Sequence, residues 1–75
     1  MQGELSILDR TGDTKLIWDS NNRDEVSVAQ ETFDKLKKKG FIAYSVMKGG
    51  DKGQVLTKFD PNVEKIIMSP AMAGG

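Results

Sequence analysis

The residues best placed to do chemistry close the chain: Pro70-Ala71-Met72-Ala73-Gly74-Gly75. A diglycine ending suits a terminal carboxylate that is itself the reactive group. Without a Cβ, glycine lets an extended tail thread a narrow channel where a bulkier side chain would clash. The competing chemistry is thin. The chain contains no histidine and no cysteine. That removes the usual general base, the thiolate nucleophile, the Ser-His-Asp arrangement and the usual zinc ligands. An enzyme would have to work with carboxylates and lysines alone. The expectation is a protein with no catalytic residue and no metal site, in which Gly75, preceded by Gly74, is acted upon. The bland alternative is a flexible end whose glycines are incidental.

Seventy-five residues make one small domain, without room for a second core. Its basic and acidic side chains number eleven each and cancel, so no global field attracts nucleic acid or an anionic membrane. No apolar run approaches the length of a spanning helix. The chain reads as a soluble, cytoplasmic monomer.

The elements that must position the tail follow from periodicity. Leu5 and Ile7 alternate with polar neighbours, Arg10-Thr11-Gly12-Asp13 supplies a turn, and Leu16 and Trp18 alternate again. This predicts a hairpin over residues 4–19 with one buried face. Ser6, Lys15, Leu8 and Ile17 fall on the other. Val26, Ala29, Phe33 and Leu36 recur at helical spacing. Asn22, with Glu25 three residues on, fits a capping box, and Asp24 and Glu25 suit the positive end of the helix dipole. Lys37, Lys38 and Lys39 suit its negative end, and Gly40 suits the left-handed residue of a Schellman stop, with Phe41 packing back on Leu36. A nucleic-acid role for the lysine run is the weaker reading in a neutral chain without interleaved aromatics.

Residues 41–47 read as a strand, 48–53 as a loop and 54–59 as a second strand. Nothing in the loop resembles a phosphate cradle, since no Gly-Lys-Ser/Thr follows. Asp60-Pro61-Asn62 reads as a turn. Residues 65–69, with Ile66, Ile67 and Met68 apolar on both faces, read as a central strand that Pro70 ends. The order is α+β, ββαβββ, with one helix on one face of a mixed sheet. Residues 1–70 form the domain and 71–75 a flexible tail. This element order resembles the β-grasp, or ubiquitin-like, fold.

The closing residues carry a closer resemblance. Glu64-Lys65-Ile66-Ile67-Met68-Ser69-Pro70-Ala71-Met72-Ala73-Gly74-Gly75 is similar to the ends of prokaryotic ubiquitin-like modifiers and sulfur carriers, such as the small subunit of molybdopterin synthase and the thiamine sulfur carrier. Ala71 stands where those carriers have a second proline. Asp60-Pro61-Asn62-Val63 replaces their usual Asp-Gly-Asp turn. The resemblance implies that a partner related to ubiquitin-activating enzymes spends ATP to adenylate Gly75, while this chain binds no cofactor of its own. Lysines of target proteins, or a sulfur-accepting enzyme, would then receive the activated group. A protein-interaction module with an incidental Gly-Gly end is the other alternative. Pro70, Ala71, Met72 and Ala73 become the tail-recognition residues, and Leu8, Tyr44, Val46 and Met68 the candidate partner-binding surface.

Overall fold

The computed structural model describes residues 2–9, 12–46 and 52–70. The expected turn residues Arg10 and Thr11, residues 47–51 of the expected strand and loop, and the tail 71–75 lie outside them.

Strand β1 (Gln2–Asp9) buries Leu5 and Ile7, and strand β2 (Gly12–Asp19) buries Trp18. Their antiparallel register sets Leu5 against Leu16 and Gly3 against Trp18. Gly3 has a steric reason to be glycine: a Cβ there would fall inside the Trp18 ring. Alternation alone therefore places the hairpin's apolar face, and one glycine makes room for its largest side chain.

Helix α1 (Arg23–Lys38) starts at Asn22, whose Oδ1 accepts from the N–H groups of Asp24 at 3.1 Å and Glu25 at 3.2 Å. The reciprocal half of the expected capping box is displaced. Glu25 Oε1 accepts from the Asp19 N–H at 2.8 Å, and the Asn22 N–H donates to the Asp19 carbonyl at 2.8 Å. The helix start is thus tied to the end of β2. Ala29 and Phe33 are fully buried, with Val26 and Leu36 packed at the margin. At the other end Gly40 takes φ +96° and donates its N–H to the Lys37 carbonyl at 3.0 Å, one of the two bonds of a Schellman stop.

Three strands complete the sheet: β3 (Phe41–Val46), β4 (Lys52–Leu56) and β5 (Lys65–Pro70). The strand order is β2-β1-β5-β3-β4. β5 lies in the middle, parallel to β1 and antiparallel to β3. Its apolar residues on both faces have that central position as their cause. α1 packs against β2 and β3, and the core it closes contains Leu5, Ile7, Trp18, Phe33, Ile66 and Met68. A mixed five-stranded sheet with one helix is compatible with a β-grasp fold.

The expected strand over 54–59 is shifted. β4 begins at Lys52 and ends at Leu56, and Phe59 leaves the ladder to pack edge-on against Trp18 and Phe33, with ring centroids 5.0 and 5.8 Å away. The turn at Asp60-Pro61-Asn62 forms as expected, with the Val63 N–H on the Asp60 carbonyl and the Asn62 N–H on Asp60 Oδ1. Trp18 Nε1 donates to the Pro61 carbonyl at 3.0 Å, so the same loop satisfies the buried indole. β4 also carries a bulge opposite Ser45. The Ser45 hydroxyl accepts from the Gln54 N–H at 3.0 Å and lies 3.3 Å from its carbonyl.

Candidate functional site

The tail residues follow Pro70, the last residue of the sheet's middle strand. β5 is paired on both sides, with Ile7 opposite Met68 on β1 and Phe41 opposite Pro70 on β3. Pro70 is itself the last strand residue, one position beyond the expected end. Lacking an N–H, it cannot extend the ladder as a donor, and its ring restricts the direction in which the chain departs. Pro70 is exposed at the end of the sheet. The recognition residues Ala71, Met72 and Ala73 and the reactive pair Gly74 and Gly75 lie outside the described residues.

The sheet face away from α1 presents three of the four residues expected to meet a partner. Leu8 and Tyr44 are each 38% exposed, and Val46 is half-buried. Met68 is not among them. It is fully buried, level with Ile7 and Ala43 on the helix side of the sheet. Ile66, Ile67 and Met68 are all apolar, so the sequence carries no alternation to set the phase of β5, and a one-residue slip exchanges its faces. The residue that faces outward is Ile67, opposite Ser6 on β1 and Tyr44 on β3.

The register builds a row across this face from Lys15 through Ser6, Ile67 and Tyr44 to Val55. Val55 is 57% exposed and extends the apolar band to the sheet edge. Neither Ile67 nor Val55 stood out in the sequence as a surface residue, because the face each one takes depends on cross-strand register. Trp18, expected as core, is buried.

Polar groups interrupt the band on the β1 side. Ser6 Oγ donates to Glu4 Oε2 at 2.9 Å, and Lys65 Nζ lies 3.6 Å from the same oxygen. The Ser6 hydroxyl is the main cause holding the Glu4 carboxyl below its ordinary range; Lys15 and Lys65 add to it against partial desolvation. Glu4 is therefore a fixed anion at neutral pH. It stands beside the apolar band, with Ser6 next to Ile67 in the cross-strand row.

At the end of the sheet opposite the tail, two open notches of about 250 and 420 Å³ meet at Gln2 and Ile17. Their carboxylates are Glu4 and Glu64 in one and Asp19 and Glu25 in the other. Among the described residues, no group of three or more acidic, histidine or cysteine side chains is arranged to hold a metal, and no helix is long and apolar enough to cross a membrane. No protein-family model, curated protein or solved structure matches the chain.

Proposed function

We propose that this chain is a ubiquitin-like β-grasp protein whose Gly75 carboxylate is adenylated by a partner enzyme and then conjugated to amines of target proteins. The observation that carries this reading is the place of Pro70. It ends the central strand of a sheet compatible with the β-grasp order, and the small-residue run to Gly74-Gly75 follows directly. A strand paired on both sides is a rigid base for a presented tail. Five extended residues reach about 17 Å beyond it, enough to enter a partner's site while the folded body stays outside.

In the first step a Gly75 carboxylate oxygen attacks the α-phosphorus of ATP, and pyrophosphate leaves. The resulting mixed anhydride makes the carbonyl carbon electrophilic. A lysine amine of the target then attacks that carbon, AMP leaves and an amide forms with loss of a proton. All groups that activate ATP belong to the partner. The outward-facing band of Leu8, Tyr44 and Val55, with the half-buried Val46 and Ile67 between them, supplies the folded body's contact with it, and Met72 adds an adaptable apolar contact from the tail.

The tail sequence favours a second reading, because its closing dozen residues are similar to those of sulfur carriers. There a sulfur donor displaces AMP and leaves a terminal thiocarboxylate for a sulfur-accepting enzyme. Mass spectrometry of the protein recovered from its source organism separates the two. Lys65 is the last trypsin site before the tail, so a tryptic digest of a conjugate carries the ten-residue branch Ile66–Gly75 on a target lysine, where a bare diglycine would not appear. A carrier instead shows exchange of one oxygen for sulfur at Gly75. Neither product under any growth condition overturns both readings.

A further inference from the structure

The end of the sheet from which the tail departs is also where α1 ends. Phe41 is the cross-strand partner of Pro70, and Lys39 lies two residues before it, in the turn that closes the helix. Lys35, Lys38 and Lys39 are exposed there, and Lys37 is half-buried. None of the four has an ion-pair partner among the described residues. On the other flank of β5, β1 ends at Asp9 and β2 begins with Gly12 and Asp13, and Asp9 is already engaged. The tail therefore starts beside a lysine patch in a chain whose overall charge is zero.

The helix dipole explains why lysine is tolerated in the last turn, at about 0.3–1 kcal/mol for each favourable charge. It does not require four lysines beside one strand end. Cross-strand neighbours are about 5 Å apart, and two further residues add at most about 7 Å, so Lys39 lies within the tail's own reach of Pro70. A macromolecule that holds Gly75 in its site must bring its surface against this end of the sheet. At the Debye length of about 8 Å in physiological salt, it senses the lysines as a local positive field even though the whole chain is neutral.

Resting on the reading of Gly75 as an activated terminus, we propose that Lys35, Lys38 and Lys39 form a docking patch for an acidic surface on the activating enzyme, beside the mouth that receives the tail. Their role is steering and orientation. A rim charge of this kind acts mainly on the association rate and its salt dependence. The apolar band on the sheet then supplies the desolvated contact, and the lysines set which way round the domain lands.

The test uses ATP–pyrophosphate exchange catalysed by an extract of the source organism, with the full chain as the varied substrate. Replacing Lys35, Lys38 and Lys39 together by glutamine is expected to raise KM about tenfold with kcat unchanged, the equivalent of about 1.4 kcal/mol. The difference is expected to close in 0.5 M salt, about where the Debye length falls below 5 Å. The triple arginine variant is expected to keep the wild-type KM, and far-UV circular dichroism checks that both variants fold. An unchanged KM in the glutamine variant overturns the docking patch while leaving the activated terminus standing. Loss of the KM difference after ribonuclease treatment also overturns it, because the lysines would then be reading RNA. No exchange with the wild-type chain in any fraction overturns the activated terminus and the docking patch together.

Discussion

Two residues show how much a single side chain decides here. Gly3 is glycine because Trp18 occupies the space its Cβ would need. Gly3→Ala must push the indole off its hydrogen bond to Pro61 or bend β1, and overpacking of this kind costs about 1–3 kcal/mol. Urea denaturation of the variant checks it, and an unchanged midpoint would refute the steric account. Glu4 is the second. Its carboxyl is held below the ordinary range chiefly by the Ser6 hydroxyl. A folded-state pKa below the unfolded one means that Glu4 stabilises the fold above the ordinary carboxylate pKa, and that this is lost as pH falls through the folded value. In an NMR pH titration, Ser6→Ala is expected to move the Glu4 midpoint up toward the ordinary value of about 4.3. A midpoint that stays where it is in the wild type would mean that the hydroxyl contributes nothing.

Among the elements, the helix carries the clearest signals and a testable one. Asn22 holds two N–H groups of the first turn, so Asn22→Ala is expected to cost about 1 kcal/mol. For a domain of this size that is a fall of about 4–8 °C in melting temperature, readable by circular dichroism. A fall under a degree would show that the cap is replaceable by water. The helix, the first hairpin and the central last strand could all be read from the chain, because period and capping residues are local properties. β4 could not. Phe59 looks like the end of a strand, yet the cluster of Trp18 and Phe33 takes it out of the ladder, and that contact is long-range. The phase of β5 was equally closed to inspection, because Ile66, Ile67 and Met68 offer no polar residue to mark the outside. Only pairing with β1 and β3 turns Ile67 outward and buries Met68. The tail motif was visible at once, since it depends on no register at all.

For the whole molecule, the one helix among the described residues packs on one face of the sheet, and the middle strand β5 ends at Pro70, at the end of the sheet where α1 also stops. Among the described residues, Met68 is the last that joins the buried core. Deleting Gly74 and Gly75 is therefore expected to leave the melting temperature within about 2–4 °C of the wild type, since surface changes away from packed features fall within about 0.5 kcal/mol. A large drop would mean that the end of the chain is packed into the domain, which a presented carboxylate could not be. This separation of stability from reactivity is what a chain without histidine or cysteine needs if its terminus is the substrate of another protein.

The most direct measurement of that central claim is chemical trapping. Purified chain is incubated with ATP and an extract of its source organism in the presence of hydroxylamine, and its C-terminal peptide is weighed by mass spectrometry. Hydroxylamine attacks the carbonyl of an acyl-adenylate and displaces AMP, so an activated Gly75 is expected to appear as a terminal hydroxamate that forms only with ATP. A free carboxylate at Gly75 in every fraction, with and without ATP, would contradict the account.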